Sequence, residues 1–190
     1  MEAKEKIYEA YLELRQDKLY FNQLKESTNL SHSSLQNVLN KLTESGMLKL
    51  DKTKSNVFYQ IKNKKLFSLE FSKIALKKFE ELNFEIKSPL KNFLKKVQDS
   101  IFTIILFGSA SKEEEKKESD IDILIVTDKK NDFELLRKEI NKSSNYPLSI
   151  FKCSVDQFIK DKDPVIIQAK KLGFPIYKEQ NFYEVLLNEY

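Results

Sequence analysis

Apolar positions in the first sixty residues recur at helical spacing and then switch to strict alternation. Ile7, Tyr11 and Leu14, with Ala3 and Ala10 in step, form one stripe and predict a helix over 2–16. Tyr20–Glu26 predicts a short second helix with Phe21 and Leu24 turned inward. Thr28-Asn29-Leu30-Ser31 is turn chemistry, and Ser31 or Ser33 can cap a third helix. On that helix Leu35, Val38, Leu39 and Leu42 keep the 3.6-residue period until Gly46 stops it. Met47–Leu50 and Val57–Ile61 then alternate as two strands around a polar turn, Asp51–Asn56.

From Asn63 to Asn83 the helical period returns without Gly or Pro, through Leu66, Phe67, Leu69, Phe71, Ile74, Leu76, Phe79 and Leu82. Ser88-Pro89 predicts the start of a further helix with Leu90, Phe93, Leu94 and Val97 inward. Two short apolar runs follow, Ile101–Phe107 and Ile123–Val126, with the length and β-branched content of buried strands. After them Asn131-Asp132 can cap a helix through Asn141 that buries Phe133, Leu135, Leu136 and Ile140. Tyr146–Cys153 predicts a third strand, and Asp156 a helix cap just after it. Helices at Ser154–Ile159 and Pro164–Leu172, a short strand Pro175–Tyr177 and a terminal helix Phe182–Leu187 complete the chain. Strands separated by helices predict an α/β domain with a mixed sheet.

Composition narrows the setting. One cysteine, Cys153, excludes an intrachain disulfide and fits a cytoplasmic protein with a buried core thiol. No apolar run approaches membrane-spanning length, and the acidic, amphipathic N-terminus is unlike a signal peptide, so no membrane is expected. The net charge of +4 is unevenly spread: Lys41–Lys96 holds fourteen lysines against six acids, whereas the chain from Ile101 onward is slightly acidic. A basic middle joined to an acidic end suggests two modules with different partners.

The chemistry gathers between the two apolar runs. Gly108 and Ser109 end the first, and Asp120-Ile121-Asp122 opens the second. Side chains at i and i+2 of a strand share a face, so Asp120 and Asp122 stand together while Ile121 turns to the core. Two adjacent carboxylates repel unless a hard cation such as Mg²⁺ bridges them, and Mg²⁺ completes its shell with water and phosphate oxygens. Gly108 lets a ligand approach the backbone, and Ser109 adds a hydroxyl and an amide suited to phosphate. Without a ligand, the same residues would be a polar turn whose aspartates cap a strand.

Gly108-Ser109, ten residues, then Asp120-x-Asp122 between two apolar strands resembles the signature of the minimal nucleotidyltransferases, a branch of the polymerase-beta-like superfamily. The resemblance implies that Gly108 and Ser109 hold the triphosphate, ATP being the expected nucleotide. It implies that Asp120 and Asp122 are the catalytic Mg²⁺ ligands. Active members of that superfamily place a third carboxylate on the next strand. Here Tyr146–Cys153 contains no acid, and Ser149 stands at the expected place.

The N-terminal pattern of three helices and a basic-tipped hairpin resembles the winged helix-turn-helix family, which implies double-stranded DNA as a partner. Ser33–Ser45 would give about 20 Å of helix, enough to cross a major groove about 12 Å wide. Ser33, Ser34, Gln36, Asn37, Asn40 and Lys41, with His32, would face the bases. Lys49, Lys52 and Lys54 would meet phosphates from the hairpin. Such domains also serve as protein-binding modules. Lys62–Ile74, with Asn63, Leu66 and Phe67, resembles the connector of archaeal proteins that join the two modules.

The expected architecture is therefore α/β (α+β). A winged helix-turn-helix domain spans 1–62, a helical connector 63–98 and a nucleotidyltransferase domain 99–190, with a small mixed sheet flanked by helices. Two functions fit: an enzyme moving a nucleoside monophosphate from a Mg²⁺-bound triphosphate to an unknown hydroxyl, or a DNA-binding transcriptional regulator whose second domain binds nucleotide or a partner without turnover. By analogy with toxin–antitoxin pairs a small helical protein is a candidate partner, and a homodimer would suit paired half-sites.

Overall fold

The structure is a computed structural model that describes residues 2–53, 56–111, 120–130, 132–160 and 162–189. It divides into two compact units, residues 1–74 with 183–190 and residues 75–182.

The first unit runs α1 (Ala3–Leu14), β1 (Lys18–Tyr20), α2 (Phe21–Thr28), α3 (His32–Glu44), β2 (Leu48–Lys52), β3 (Val57–Ile61) and the beginning of α4 (Lys64–Glu81). The strands form an antiparallel sheet in the order β1-β3-β2. The apolar stripes meet as their periods require: Ile7, Tyr11, Leu24, Leu35, Leu39 and Phe67 are fully buried. Phe67 sits edge-on to Tyr8, Tyr11 and Phe71 at centroid distances of 5.1, 5.5 and 5.8 Å. The buried Tyr11 hydroxyl donates to the Tyr59 carbonyl at 2.7 Å, tying α1 to β3. Strand β1 was not expected, because three residues are too few to display a period. Its register is visible only through pairing of Lys18, Leu19 and Tyr20 with Gln60, Tyr59 and Phe58.

Of the two serines able to cap α3, Ser31 does so, accepting from the Ser34 amide at 3.2 Å. Ser31→Ala is expected to cost about 1 kcal/mol of unfolding free energy, read as a lower denaturation midpoint with unchanged slope.

The second unit holds α5 (Phe84–Leu94), β4 (Thr103–Phe107), β5 (Ile121–Val126), α6 (Glu134–Asn141), β6 (Leu148–Cys153), α7 (Val155–Lys160), α8 (Pro164–Leu172) and β7 (Phe174–Tyr177). A terminal helix, α9 (Glu179–Glu189), follows. The sheet order is β6-β5-β4-β7. Strands β5 and β6 pair in parallel, joined by a crossover through α6, and the other two pairings are antiparallel. All five residues of β4 and all of β5 except Asp122 are buried, which explains why both read as continuous apolar runs. Gly173 does more than end α8. A Cβ there would overlap the carbonyls of Leu106 and Ala169, so the missing side chain lets helix and strand touch.

Three expectations need correction. Helix α5 begins at Phe84, where the Asn83 side chain accepts from the Glu85 amide at 3.1 Å, and Pro89 lies inside it rather than at its start. Leu135 is 81% exposed, because the short α6 turns only Ile140 fully to the core. Asp156 caps nothing: Ser154 accepts from the Gln157 amide at 3.1 Å, and Asp156 pairs with Lys160. Among the described residues no helix is long and apolar enough to cross a membrane.

Candidate functional site

The second sheet brings one end of β4 and the starts of β5 and β6 to the same edge. Asp122 is the second residue of β5 and lies between Phe107 on β4 and Ser149 on β6. Asp120 immediately precedes the strand and is exposed, whereas Asp122 is half-buried. Ile121 between them is fully buried, as strand alternation requires.

Gly108 adopts φ +74°, the left-handed region that a side chain disfavours. A Cβ on Gly108 would overlap Asp122 Oδ2 and stand 3.3 Å from its Cγ. The backbone at the end of β4 therefore lies directly against the Asp122 carboxylate. Ser109 opens a short 3-10 turn, Ser109–Ser111, that lies against β4 and β5. Ser111 pins this turn by donating to the carbonyls of Gly108 at 2.8 Å and Leu172 at 3.3 Å.

Burial raises the pKa of Asp122 above its ordinary value, and the negative charge of Asp120 raises it further. A cation would relieve both penalties, since it replaces lost hydration and offsets the repulsion. The donor set fits Mg²⁺: hard carboxylate oxygens from Asp120 and Asp122, the latter packed against the bare backbone of Gly108. Among the described residues no group of three or more His, Cys, Asp or Glu side chains could hold a metal ion. Water and phosphate oxygens would have to complete the shell.

Ser149 Oγ donates to Asp120 Oδ2 at 2.8 Å. Beyond Ser149, a cleft of about 400 Å³ runs between β6 and the start of α6, lined by Phe133, Arg137, Phe151 and Lys152 among others. Nothing in the local sequence marked these four, because the crossover from β5 to β6 brings them together. Cys153, buried with its thiol pushed up to about 12, is not a nucleophile.

Residues 88–181 match the family model described as Polymerase beta, Nucleotidyltransferase. This part of the chain is a polymerase beta nucleotidyltransferase domain. No curated protein matches the chain. A solved structure described as "Crystal structure of the toxin-antitoxin with AMP-PNP" is similar at a TM-score of 0.43 and 18% identity, over 56% of this chain and 83% of that one.

The residues expected to meet DNA lie outside the nucleotidyltransferase match, in the first unit. On α3, Ser33, Asn37, Asn40 and Lys41 are exposed, as is His32, whose ring centroid lies 4.7 Å from that of Phe21. Ser34 is half-buried at the cap, and its amide donates to Ser31. Gln36 is half-buried and donates to Asn40 Oδ1 at 2.9 Å and to the Tyr59 hydroxyl at 3.5 Å. Lys49 and Lys52 are both exposed on β2, but an odd spacing puts them on opposite faces of the hairpin. Lys54 lies outside the described residues.

Proposed function

We propose that the chain transfers a nucleoside monophosphate from a nucleoside triphosphate, ATP being the expected one, to a hydroxyl acceptor. The observation that carries this reading is the contact of Gly108 with Asp122, with Asp120 close enough to act on the Asp122 charge and hydrogen-bonded by Ser149, the cross-strand partner of Asp122. It joins a phosphate cradle to a pair of hard ligands.

The sheet order suggests how the parts would act. Gly108 and Ser109 on the β4 side would hold the leaving pyrophosphate through backbone amides and the Ser109 hydroxyl. Mg²⁺ bound by Asp120 and Asp122 would supply Lewis-acid stabilisation of the phosphate charge. In-line displacement puts attacking and leaving oxygens on opposite sides of phosphorus, so the acceptor hydroxyl would enter from the β6 side, where the cleft lies. The acceptor oxygen bonds to the α-phosphorus as the bond to the bridging oxygen breaks. Pyrophosphate leaves with the electron pair, and the hydroxyl proton passes to water. The acceptor is a hydroxyl of a protein, a small molecule or a nucleic acid, and a small helical partner protein is among the candidates.

Incubating the full chain with α-³²P-labelled nucleoside triphosphates, Mg²⁺ and cell lysate tests the reading. Label should appear on a product in a Mg²⁺-dependent way. Nucleotide binding without any transfer would instead support a second reading, a sensor that does not turn over. Ser149 favours that alternative, since a hydroxyl hydrogen-bonded to Asp120 is a poorer proton acceptor than a carboxylate.

For the first unit we propose a winged helix-turn-helix that binds double-stranded DNA, supported by the order α1-β1-α2-α3-β2-β3 and the exposed polar face of α3. A homodimer would suit two half-sites. DNA binding should weaken with salt, and Lys52→Ala should reduce the log–log slope by about 0.9. A salt-independent association, or an unchanged slope, would remove DNA from the proposal.

A further inference from the structure

We propose that Ser149 is a positioning residue that aims the Asp120 carboxylate at a divalent cation. This inference rests on the metal-binding reading above and adds a group that the motif does not contain.

The two aspartates are held differently. Asp122 is within the β5 ladder, half-buried, with strands on both sides. Asp120 stands one residue before that ladder and is exposed. The nearest backbone tie is the Ile121 amide, which donates to the Pro147 carbonyl at 2.7 Å and fixes the chain but not the Asp120 side chain. Repulsion from Asp122 would turn that side chain away whenever no cation is bound.

Ser149 opposes that rotation. Its Cα is the cross-strand partner of Asp122, and its Oγ donates to Asp120 Oδ2. The hydroxyl is neutral, so it adds no charge to compete with a cation. It engages one oxygen of Asp120 and leaves Oδ1 and the remaining lone pairs for coordination. The carboxylate is thus ordered before the ion arrives, which removes a conformational cost from binding. Partners that orient a metal ligand typically contribute about 10–100-fold to metal affinity.

The test is Mn²⁺ binding to the full chain, followed by electron paramagnetic resonance and calorimetry without nucleotide, alongside thermal melting. Ser149→Ala is expected to weaken Mn²⁺ binding about 10–100-fold with little change in melting temperature, and Ser149→Thr, which keeps the hydroxyl, to recover most of the loss. Wild-type affinity in Ser149→Ala would overturn the positioning role and leave the proposed function standing. Weaker binding accompanied by a matching fall in melting temperature would assign Ser149 a structural role and overturn it too. Absence of Mn²⁺ binding by the wild-type chain would overturn this inference and the metal-dependent function together.

Discussion

Asp122→Asn is expected to lower nucleotide transfer on the order of 10²–10³-fold, the loss typical of removing one preorganised electrostatic group from an active site. The substitution keeps size and shape but removes the charge that a cation needs. Its effect on the metal-free fold should have the opposite sign. Burial and the neighbouring Asp120 raise the pKa of Asp122 in the folded protein above its unfolded value. The protonated group is therefore favourable below the ordinary carboxylate range, and that contribution is lost as pH rises through the raised value. At neutral pH the charged Asp122 strains the folded state, and asparagine relieves it. Transfer assays and thermal melts on the same preparation, in a chelating buffer for the melts, check both signs. A variant that melts early as well as losing activity would point to damage rather than lost chemistry. One that retains wild-type transfer would remove Asp122 from the site.

Gly108→Ala should damage both stability and chemistry. At φ +74° a side chain costs roughly 1–2 kcal/mol in the left-handed region. For a chain of this size that is a fall of roughly 2–8 °C in melting temperature. The added methyl would also displace the Asp122 carboxylate. Gly46 provides the control. It has the same φ of +74°, yet a Cβ there meets nothing within 4 Å. Gly46→Ala thus carries the backbone cost alone, and any excess loss in Gly108→Ala measures the collision at the site. Transfer activity should survive in the first variant and vanish in the second. Equal behaviour of the two would mean that the Gly108 contact has no functional role.

Much of this site was legible because strand alternation is a strong local signal. The i, i+2 spacing of Asp120 and Asp122 around a core isoleucine needs no tertiary information. The glycine and serine before them mark a turn by residue type. What stayed hidden depends on register between strands. That Gly108 touches Asp122 follows from the pairing of Phe107 with Asp122. That the Ser149 hydroxyl reaches Asp120 follows from the parallel crossover through α6. Local patterns also misled where two explanations competed. Pro89 reads as a helix opener, but the Asn83 side chain starts the helix earlier. Leu135 is apolar, but Leu136 and Ile140, four residues apart, make the inward stripe of α6, and Leu135, five residues from Ile140, falls outside it. In the first unit, β1 is defined by its partner β3 rather than by its own three residues.

The period-two build of β5 constrains how this protein can change over generations. Substitutions along Ile121–Val126 act one side chain at a time. Insertion or deletion of a single residue there would exchange the two faces of the strand, carrying the Asp122 carboxylate to the opposite side and misfitting the apolar side chains that both covered faces receive. Lineages of such a protein should therefore drift in residue identity along this strand while its length stays frozen, with indels absorbed elsewhere.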